Sequence, residues 1–112
     1  MDIMDDGKRW TVQDRRGNGI YLTEERWRHI VDPLNHPEME NFEDQLKETI
    51  GLGSRKQDTL NPRKFRYTMA FSDLVNDNTH IVAIVLFTFR SEGRENPTPN
   101  NYIVTAFQKE TG

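Results

Sequence analysis

The sequence predicts an α+β domain in which two helices precede an antiparallel sheet. Apolar residues recur at helical spacing in two segments of the first half and alternate at strand spacing after residue 64, and a turn containing Gly and Asn separates two short apolar segments near the N-terminus. Elements in this order fit a short N-terminal hairpin and two helices packed on a twisted antiparallel sheet of about four strands.

Length and composition indicate one small domain over residues 1–112. The chain contains no cysteine, which excludes disulfides and thiolate metal sites and fits a cytoplasmic protein. Its acidic first residues, 1–8, lack the apolar stretch of a signal peptide and are expected to be frayed. No apolar run approaches the roughly 18 residues of a membrane span, so we expect a soluble protein.

The N-terminal half begins with a predicted hairpin and helix. Residues 10–12 and 20–22 have the pattern of short strands around a turn that contains an Asn-Gly pair, a strong hairpin signal. Thr23 can cap a helix over residues 24–32, whose first turn is acidic and which Pro33 helps to end. The apolar residues of this helix fall on one stripe: Trp27, Ile30, Val31 and Leu34.

A second helix is predicted from Pro37, because proline is favoured at the first helical position. Gly51 or Gly53 supplies its C-terminal stop. Helical spacing places its apolar side chains on one face: Met39, Phe42, Leu46 and Ile50.

The second half is predicted to form the sheet. Alternation over residues 65–71 indicates a strand with one aromatic face. Residues 81–89 are apolar on both faces, which indicates a central strand covered on its second face by the hairpin or by another copy of the chain. A long loop over residues 91–101 leads to a returning strand at 102–107. A homodimer is therefore one expectation.

Charge is unevenly distributed along the chain. With 15 basic and 18 acidic residues the protein is net acidic, which disfavours general nucleic-acid binding. Residues 1–51 hold 7 basic and 12 acidic residues, a net charge of −5, whereas residues 52–112 hold 8 and 6, a net charge of +2. Five cations lie close together in sequence: Arg55, Lys56, Arg63, Lys64 and Arg66. Such a local cationic strip can hold a few phosphates.

Four segments carry a family resemblance. Residues 22–30 (Leu-Thr-Glu-Glu-Arg-Trp-Arg-His-Ile), 36–38 (His-Pro-Glu), 61–67 (beginning Asn-Pro-Arg and ending Arg-Tyr) and 104–107 (Val-Thr-Ala-Phe) resemble the phage-associated branch of the barnase–EndoU–colicin–RelE-like nuclease superfamily. The resemblance covers about residues 20–108. It implies an RNA-cleaving domain with a RelE- or barnase-like fold, in which the substrate lies on the open face of the sheet.

Metal-independent RNA cleavage needs groups of a limited kind. The 2′-hydroxyl attacks the phosphorus atom, so the protein must accept its proton, stabilise the phosphorane and protonate the departing 5′-oxygen. Histidine suits the proton transfers because it exchanges protons near neutrality, and a fixed cation suits the phosphorane. We expect these catalytic residues: His29 and His36 for proton transfer, Arg66 as the transition-state clamp and Thr105 as a phosphate-positioning group.

The two histidines also have ordinary structural interpretations. His29 lies about 200° around the first helix from Trp27, so burial in the core does not explain it, but it can simply be solvated. His36 sits at the entrance of the second helix, where it can serve phosphate binding or only the turn.

The candidate residues on the predicted strands likewise have both a functional and a structural interpretation. Arg66 alternates with buried neighbours and points out of the other face, as a clamp or as a solvated arginine. Thr105 shares a predicted face with Ile103 and Phe107, and threonine is also a common strand residue. Further substrate-binding candidates are Arg63, Lys64, Tyr67 and Arg90. Of these, Tyr67 fits the core as well as base stacking.

No metal or cofactor is expected. The separation of His29, His36 and Glu38 is unlike compact helical metal motifs. No Gly-rich phosphate loop follows a strand and no nucleophile elbow occurs, which argues against kinases, P-loop proteins and hydrolases that use a nucleophile elbow.

The leading hypothesis is a metal-independent, toxin-like endoribonuclease that leaves a 2′,3′-cyclic phosphate. By analogy its partners are an RNA substrate and a protein antitoxin or inhibitor, with no membrane partner. The alternative is a non-catalytic acidic binding protein that mimics nucleic acid, as a phage-borne inhibitor does. The acids of the second helix would form that surface: Glu38, Glu40, Glu43, Asp44 and Glu48.

Overall fold

A computed structural model, which describes residues 7–91, 93 and 96–111, contains one six-stranded sheet and two α-helices. The helices are α1 (Glu24–Val31) and α2 (Glu43–Leu52), with a 3₁₀ turn at Pro37–Met39 between them. The strands are β1 (Lys8–Gln13), β2 (Gly19–Thr23), β3 (Ser54–Gln57), β4 (Lys64–Ala70), β5 (His80–Arg90) and β6 (Thr98–Lys109). Their order across the sheet is β1-β2-β6-β5-β4-β3, and β2 runs parallel to β6 while the other neighbours are antiparallel.

The class is α+β, but the predicted architecture of about four antiparallel strands is wrong. The sheet has six strands and is mixed, because the N-terminal hairpin joins it through the parallel pairing of β2 with β6. The strand β3 was not predicted, since Ser54–Gln57 contains no apolar residue. It lies at the edge of the sheet and pairs through its backbone with β4 alone.

The first helix forms as predicted. Thr23 caps it, because its side-chain oxygen accepts a hydrogen bond from the backbone N–H of Arg26 at 3.0 Å. Trp27 and Ile30 are buried. Leu34, which was assigned to the same stripe, is 92% exposed, since the helix has already ended at Val31.

The second helix begins later than predicted. Pro37 opens only the three-residue 3₁₀ turn, and α2 starts six residues further on at Glu43. Met39 and Ile50 are nevertheless fully buried, so the apolar spacing identified the buried side chains but not the break between the two elements. Gly53 is the C-cap, as the predicted stop required.

The chain ends and the predicted long loop differ in extent from the expectation. Of the predicted frayed segment 1–8, residues 1–6 lie outside the described residues, whereas Lys8 begins β1 and the Gly7 carbonyl accepts a hydrogen bond from Glu24 N at 2.7 Å. The β5–β6 pairing extends to Arg90 and Thr98, which shortens the loop predicted at 91–101. No helix in the described part of the chain is both long enough and apolar enough to cross a bilayer.

The core lies on one side of the sheet, where both helices pack against alternate residues of the strands. Helix α1 contributes Trp27 and Ile30 to this core, and α2 contributes Leu46 and Ile50. The strand residues that meet them are Ile20, Leu22, Tyr67, Ile81, Ala83, Val85, Ile103 and Ala106. We call this side the helical face and the opposite side the open face.

A buried hydrogen bond shows that the sheet curls toward its helical face. The hydroxyl of Tyr67 on β4 donates to a carboxylate oxygen of Asp14, just beyond β1, at 2.5 Å. In a flat sheet these two strands, four positions apart, would be separated by about 19 Å. Asp14 also accepts hydrogen bonds from the backbone N–H groups of Arg16 and Asn18, both at 2.9 Å. This carboxylate therefore ties the hairpin turn to the far half of the sheet.

We expect Tyr67→Phe to lower the free energy of unfolding by about 1–3 kcal/mol, because it leaves a buried carboxylate oxygen without its hydroxyl donor. Urea unfolding at pH 7 measures this change. Tyr102→Phe is the matched control, since Tyr102 lies on the open face and is only partly buried. Equal stability of Tyr67→Phe and the wild type would contradict the role given to this bond.

The ionisation of Asp14 makes the stability of the fold pH-dependent. Burial by itself raises its pKa, but hydrogen bonds from Tyr67, Asn18 and Arg16 outweigh burial, so the pKa of Asp14 is below its ordinary value. A carboxylate of this kind contributes stability above its unfolded pKa and loses that contribution as the pH falls through its folded pKa.

We therefore expect the free energy of unfolding to decrease from about pH 5 downward, and to decrease less steeply in Asp14→Asn. Urea unfolding at a series of pH values measures the slope. Asp77→Asn, which changes an exposed aspartate, is the control. A slope that Asp14→Asn leaves unchanged would show that other carboxylates set the acid limit.

Candidate functional site on the open face of the sheet

Charge is segregated between the sheet and the rest of the described chain. None of the six strands contains Asp or Glu, so every described acid lies in a helix, a turn or a connection. Strand alternation and register place five cations on the open face of β3 to β6: Lys56, Lys64, Arg66, Arg90 and Lys109. A net acidic protein thus presents a cationic sheet surface.

Two of the four predicted catalytic residues lie in one row across the open face. Thr105 on β6 pairs with Ile84 on β5, and Ile84 pairs with Arg66 on β4. The same row continues to Lys56 on β3. Because Thr105 and Arg66 are two strands apart, their backbones are about 10 Å apart, with a partly buried isoleucine between them. A long arginine side chain can lean over that isoleucine toward the hydroxyl.

A β-bulge places Thr105 on this face. Ile84 pairs with Thr105 but Val85 pairs with Ile103, so Val104 is an extra residue in β6. Ile103 is buried in the core on the helical face, whereas Thr105 and Phe107 face the open side. The prediction that Thr105 shares a face with Ile103 is therefore wrong, and its sharing a face with Phe107 is confirmed.

A shallow depression lies beside the basic end of this row. Lys56, Arg66 and Lys64 line it together with Asp58 and Ile84. The pKa of Asp58 is lowered, because the backbone N–H groups of Leu60 and Asn61 donate to its carboxylate. Lys64 Nζ lies 3.9 Å from this carboxylate, so one cation of the depression is already partly neutralised. Arg66 and Lys56 form no ion pair with any described residue.

His36 lies at the edge of β6, next to the open face. Its ring packs against Phe107 with 5.5 Å between ring centroids, and its Nδ1 lies 3.6 Å from a Glu38 carboxylate oxygen. The chain is held there because the backbone N–H and side-chain amide of Gln108 donate to Glu38 at 3.4 and 3.3 Å. Phe107 is two residues from Thr105 on the same face. His36 therefore contacts the open-face residue of β6 that is next to Thr105 on that face.

His29 lies on the exposed side of α1 and is not in the row. It borders a depression that also includes Glu25 and Arg26. A neighbouring depression contains Glu25 and Arg26 as well as Tyr21 and Tyr102 of the open face. The depression beside His29 and the one beside the open-face tyrosines thus share two residues of α1. The His29 ring does not line the depression that contains Arg66.

The other predicted substrate-binding residues are dispersed. Tyr67 is 1% exposed and lies on the helical face, where burial and its bond to Asp14 raise the pKa of its hydroxyl, so it belongs to the core and not to a base-stacking surface. Arg63 is exposed in the turn before β4, and its carbonyl accepts a hydrogen bond from Phe87 N at 2.8 Å. Arg90 pairs with Thr98 at the far end of β5. Of the four predicted substrate-binding residues, Lys64 alone lines the depression that contains Arg66.

Sequence reasoning missed three residues of the open face. Lys56 was counted among the local cations but not assigned to the site, because its strand was not predicted. Tyr21 and Tyr102 face the open side with 5.9 Å between ring centroids, and Lys8 Nζ lies 4.5 Å from the centroid of Tyr21. Alternation with Ile20 and Ile103 was the available signal for the tyrosines, but the parallel β2–β6 pairing that joins them was not predicted.

Comparisons with known proteins identify no relative of this chain. No family model, no curated protein and no solved structure matches the chain. Among the described residues, no group of three or more His, Asp or Glu side chains is arranged to hold a metal ion.

Proposed function

We propose that the open face binds single-stranded RNA and that the protein is a metal-independent endoribonuclease. The observation that carries this proposal is the row that joins Thr105 to Arg66 and Lys56, with His36 beside it. A cationic surface next to aromatic side chains suits a single strand, because the cations bind phosphates and the rings stack with bases. Tyr21 and Tyr102 supply such rings on the same face.

The proposed reaction transfers the phosphorus atom from the 5′-oxygen to the neighbouring 2′-oxygen. The 2′-hydroxyl loses its proton to a base and attacks, and the 5′-oxygen leaves as it gains a proton, which yields a 2′,3′-cyclic phosphate and a 5′-hydroxyl. Arg66, supported by Lys56, neutralises the phosphorane, since guanidinium N–H groups match phosphate oxygens. Thr105 donates a hydrogen bond to a non-bridging oxygen.

His36 is the proposed proton-transfer group nearest the row. Its ring packs against Phe107 and its Nδ1 lies 3.6 Å from Glu38, so Nε2 is the nitrogen that we assign to proton exchange with RNA. His29 is the proposed second group, acting from α1 across the surface that Arg26 shares with the open face.

The cellular setting follows from the resemblance described above and belongs to the proposal. A toxin-like ribonuclease acting in the cytoplasm requires a protein antitoxin or inhibitor, because free activity would damage its host. The open face is the surface such a partner would cover. A homodimer formed through the same face would compete with RNA.

We expect the wild-type protein to cleave single-stranded RNA in the presence of EDTA and to leave cyclic-phosphate ends. Arg66→Gln removes transition-state charge stabilisation and should lower kcat/KM about 10²- to 10³-fold. His36→Ala should lower it about 10²- to 10⁴-fold, because a proton-transfer group is lost. Gel analysis of end-labelled RNA measures both rates.

Lys47→Gln is the control for charge, since Lys47 stands over Trp10 on the helical face and should leave cleavage unchanged. Intact RNA with wild-type protein would contradict the nuclease. Tight binding to a basic protein would then favour the acidic-mimic alternative. Three of the acids assigned to that alternative are exposed: Glu40, Asp44 and Glu48. Glu43 is already paired with Arg9 and is less available to a partner.

RNA binding is expected to depend on salt through the open face. Each phosphate contact to a single strand contributes a slope of about −0.7 in a plot of log K against log salt concentration. Lys56→Gln should therefore make the slope less negative by about 0.7, whereas Lys47→Gln should not change it. Fluorescence anisotropy with a non-cleavable 2′-O-methyl RNA measures the slope. Identical slopes for wild type and Lys56→Gln would remove β3 from the RNA-binding surface.

A further inference from the structure

Three arginines meet where the curled sheet closes. Arg15 and Arg16 lie in the β1–β2 turn, and Arg55 lies on β3. With Gly53 and Ser54 they line one depression, and no acidic residue lines it. We call it the arginine pocket. It is separate from the open-face row, because Arg55 and Lys56 are consecutive on β3 and point to opposite faces.

The charges of this pocket have no carboxylate partner among the described residues. The ion pairs in the described part of the chain involve Arg9, His36 and Lys64, and none of the three pocket arginines. Asp14 is the adjacent acid, but it is 7% exposed, and its oxygens accept from Tyr67, Asn18 and the backbone N–H of Arg16. Three positively charged side chains thus line one depression in a protein that is acidic overall.

Arg55 is held in place by its neighbours. Its guanidinium carbon lies 4.4 Å from the ring centroid of Phe65 and 5.7 Å from that of Phe87. Aromatic stacking occupies the face of a guanidinium and leaves the N–H groups in its plane. One side of the Arg55 guanidinium hydrogen-bonds the Tyr67 hydroxyl oxygen, and the remaining N–H groups can donate to an acceptor in the pocket. Arg16 is positioned by its backbone bond to Asp14 and by Gly17, whose positive φ of 83° completes the turn.

We propose that the arginine pocket binds a phosphate group. Guanidinium groups donate paired, charge-assisted hydrogen bonds to phosphate oxygens, and a single dianion would offset the repulsion among three arginines. The group can be free phosphate or part of a nucleic-acid strand, which share this chemistry. The proposal does not require the ribonuclease activity, since the pocket shares no residue with the catalytic row.

The arginines also have an ordinary role that a test must separate from binding. The pocket adjoins Gly53, the C-cap of α2, and the last turn of α2 contains no basic residue. Cations near the C-terminal end of a helix stabilise it without any ligand. Loss of stability in an arginine variant therefore carries no weight by itself, whereas loss of phosphate binding does.

NMR titration of the full chain with sodium phosphate, against sodium chloride at equal ionic strength, tests the proposal. We expect saturable shifts of the backbone amides of residues 15, 16 and 55 and of the Arg55 Nε–H. Arg55→Gln and the double variant Arg15→Gln/Arg16→Gln should each weaken binding at least about tenfold, by loss of charge-assisted hydrogen bonds. Arg28→Gln, which removes an exposed arginine of α1, should not.

A second arm identifies the source of the phosphate. Short DNA strands with a 5′-phosphate or a 5′-hydroxyl are titrated in the same way, because DNA lacks the 2′-hydroxyl needed for cleavage. Shifts of the pocket with both strands indicate backbone phosphates, and shifts with the 5′-phosphorylated strand alone indicate a terminal phosphate. The double variant changes only exposed turn residues, so it keeps the test valid if Arg55→Gln does not fold. Unchanged binding in that variant, or no specific shift in the pocket, overturns the proposal.

Discussion

The hydrogen bond between Tyr67 and Asp14 is the constraint on which the arrangement of the molecule depends. It joins a residue of β4 to the end of β1, four strands away, and so closes the sheet around α2 on the helical face. One consequence is that the core is enclosed. Another is that the hairpin turn, with Arg15 and Arg16, reaches the start of β3. The third is that the opposite face of β4, which carries Arg66, faces away from the core.

Segregation of charge explains how a net acidic protein can present two cationic surfaces. The strands contain no acid, while the helices and connections contain the described acids, so carboxylates can reach the sheet's cations only from its margins. Ion pairs of this kind between described residues join Asp58 to Lys64, and join both Glu43 and Glu24 to Arg9. Arg66 and Lys56 form no ion pair with a described residue, so their charge stays available to a ligand. The average charge of the chain therefore says little about what the sheet can bind.

Local signals in the sequence predicted local structure well, and long-range pairing was where prediction failed. Thr23 and its acidic first turn located α1, because capping depends on neighbours within three residues. The start of α2 was missed since Pro37 is equally compatible with a 3₁₀ turn. The edge strand β3 is polar and has no hydrophobic alternation to reveal it. Similarly, Arg66 could be placed on a face by alternation, but Tyr67 could not be assigned to its distant partner Asp14.

The bulge at Val104 shows most clearly what alternation cannot supply. Strict alternation through β6 would put Thr105 on the face of Ile103, inside the core, and would leave no hydroxyl opposite Ile84. One inserted residue reverses the faces, so that Ala106 fills the core and Thr105 and Phe107 turn outward. Phe107 then meets His36, and Thr105 aligns with Arg66. The candidate site is thus created by an irregularity in pairing, whose position no single strand encodes, and any change that restored regular register would separate its parts.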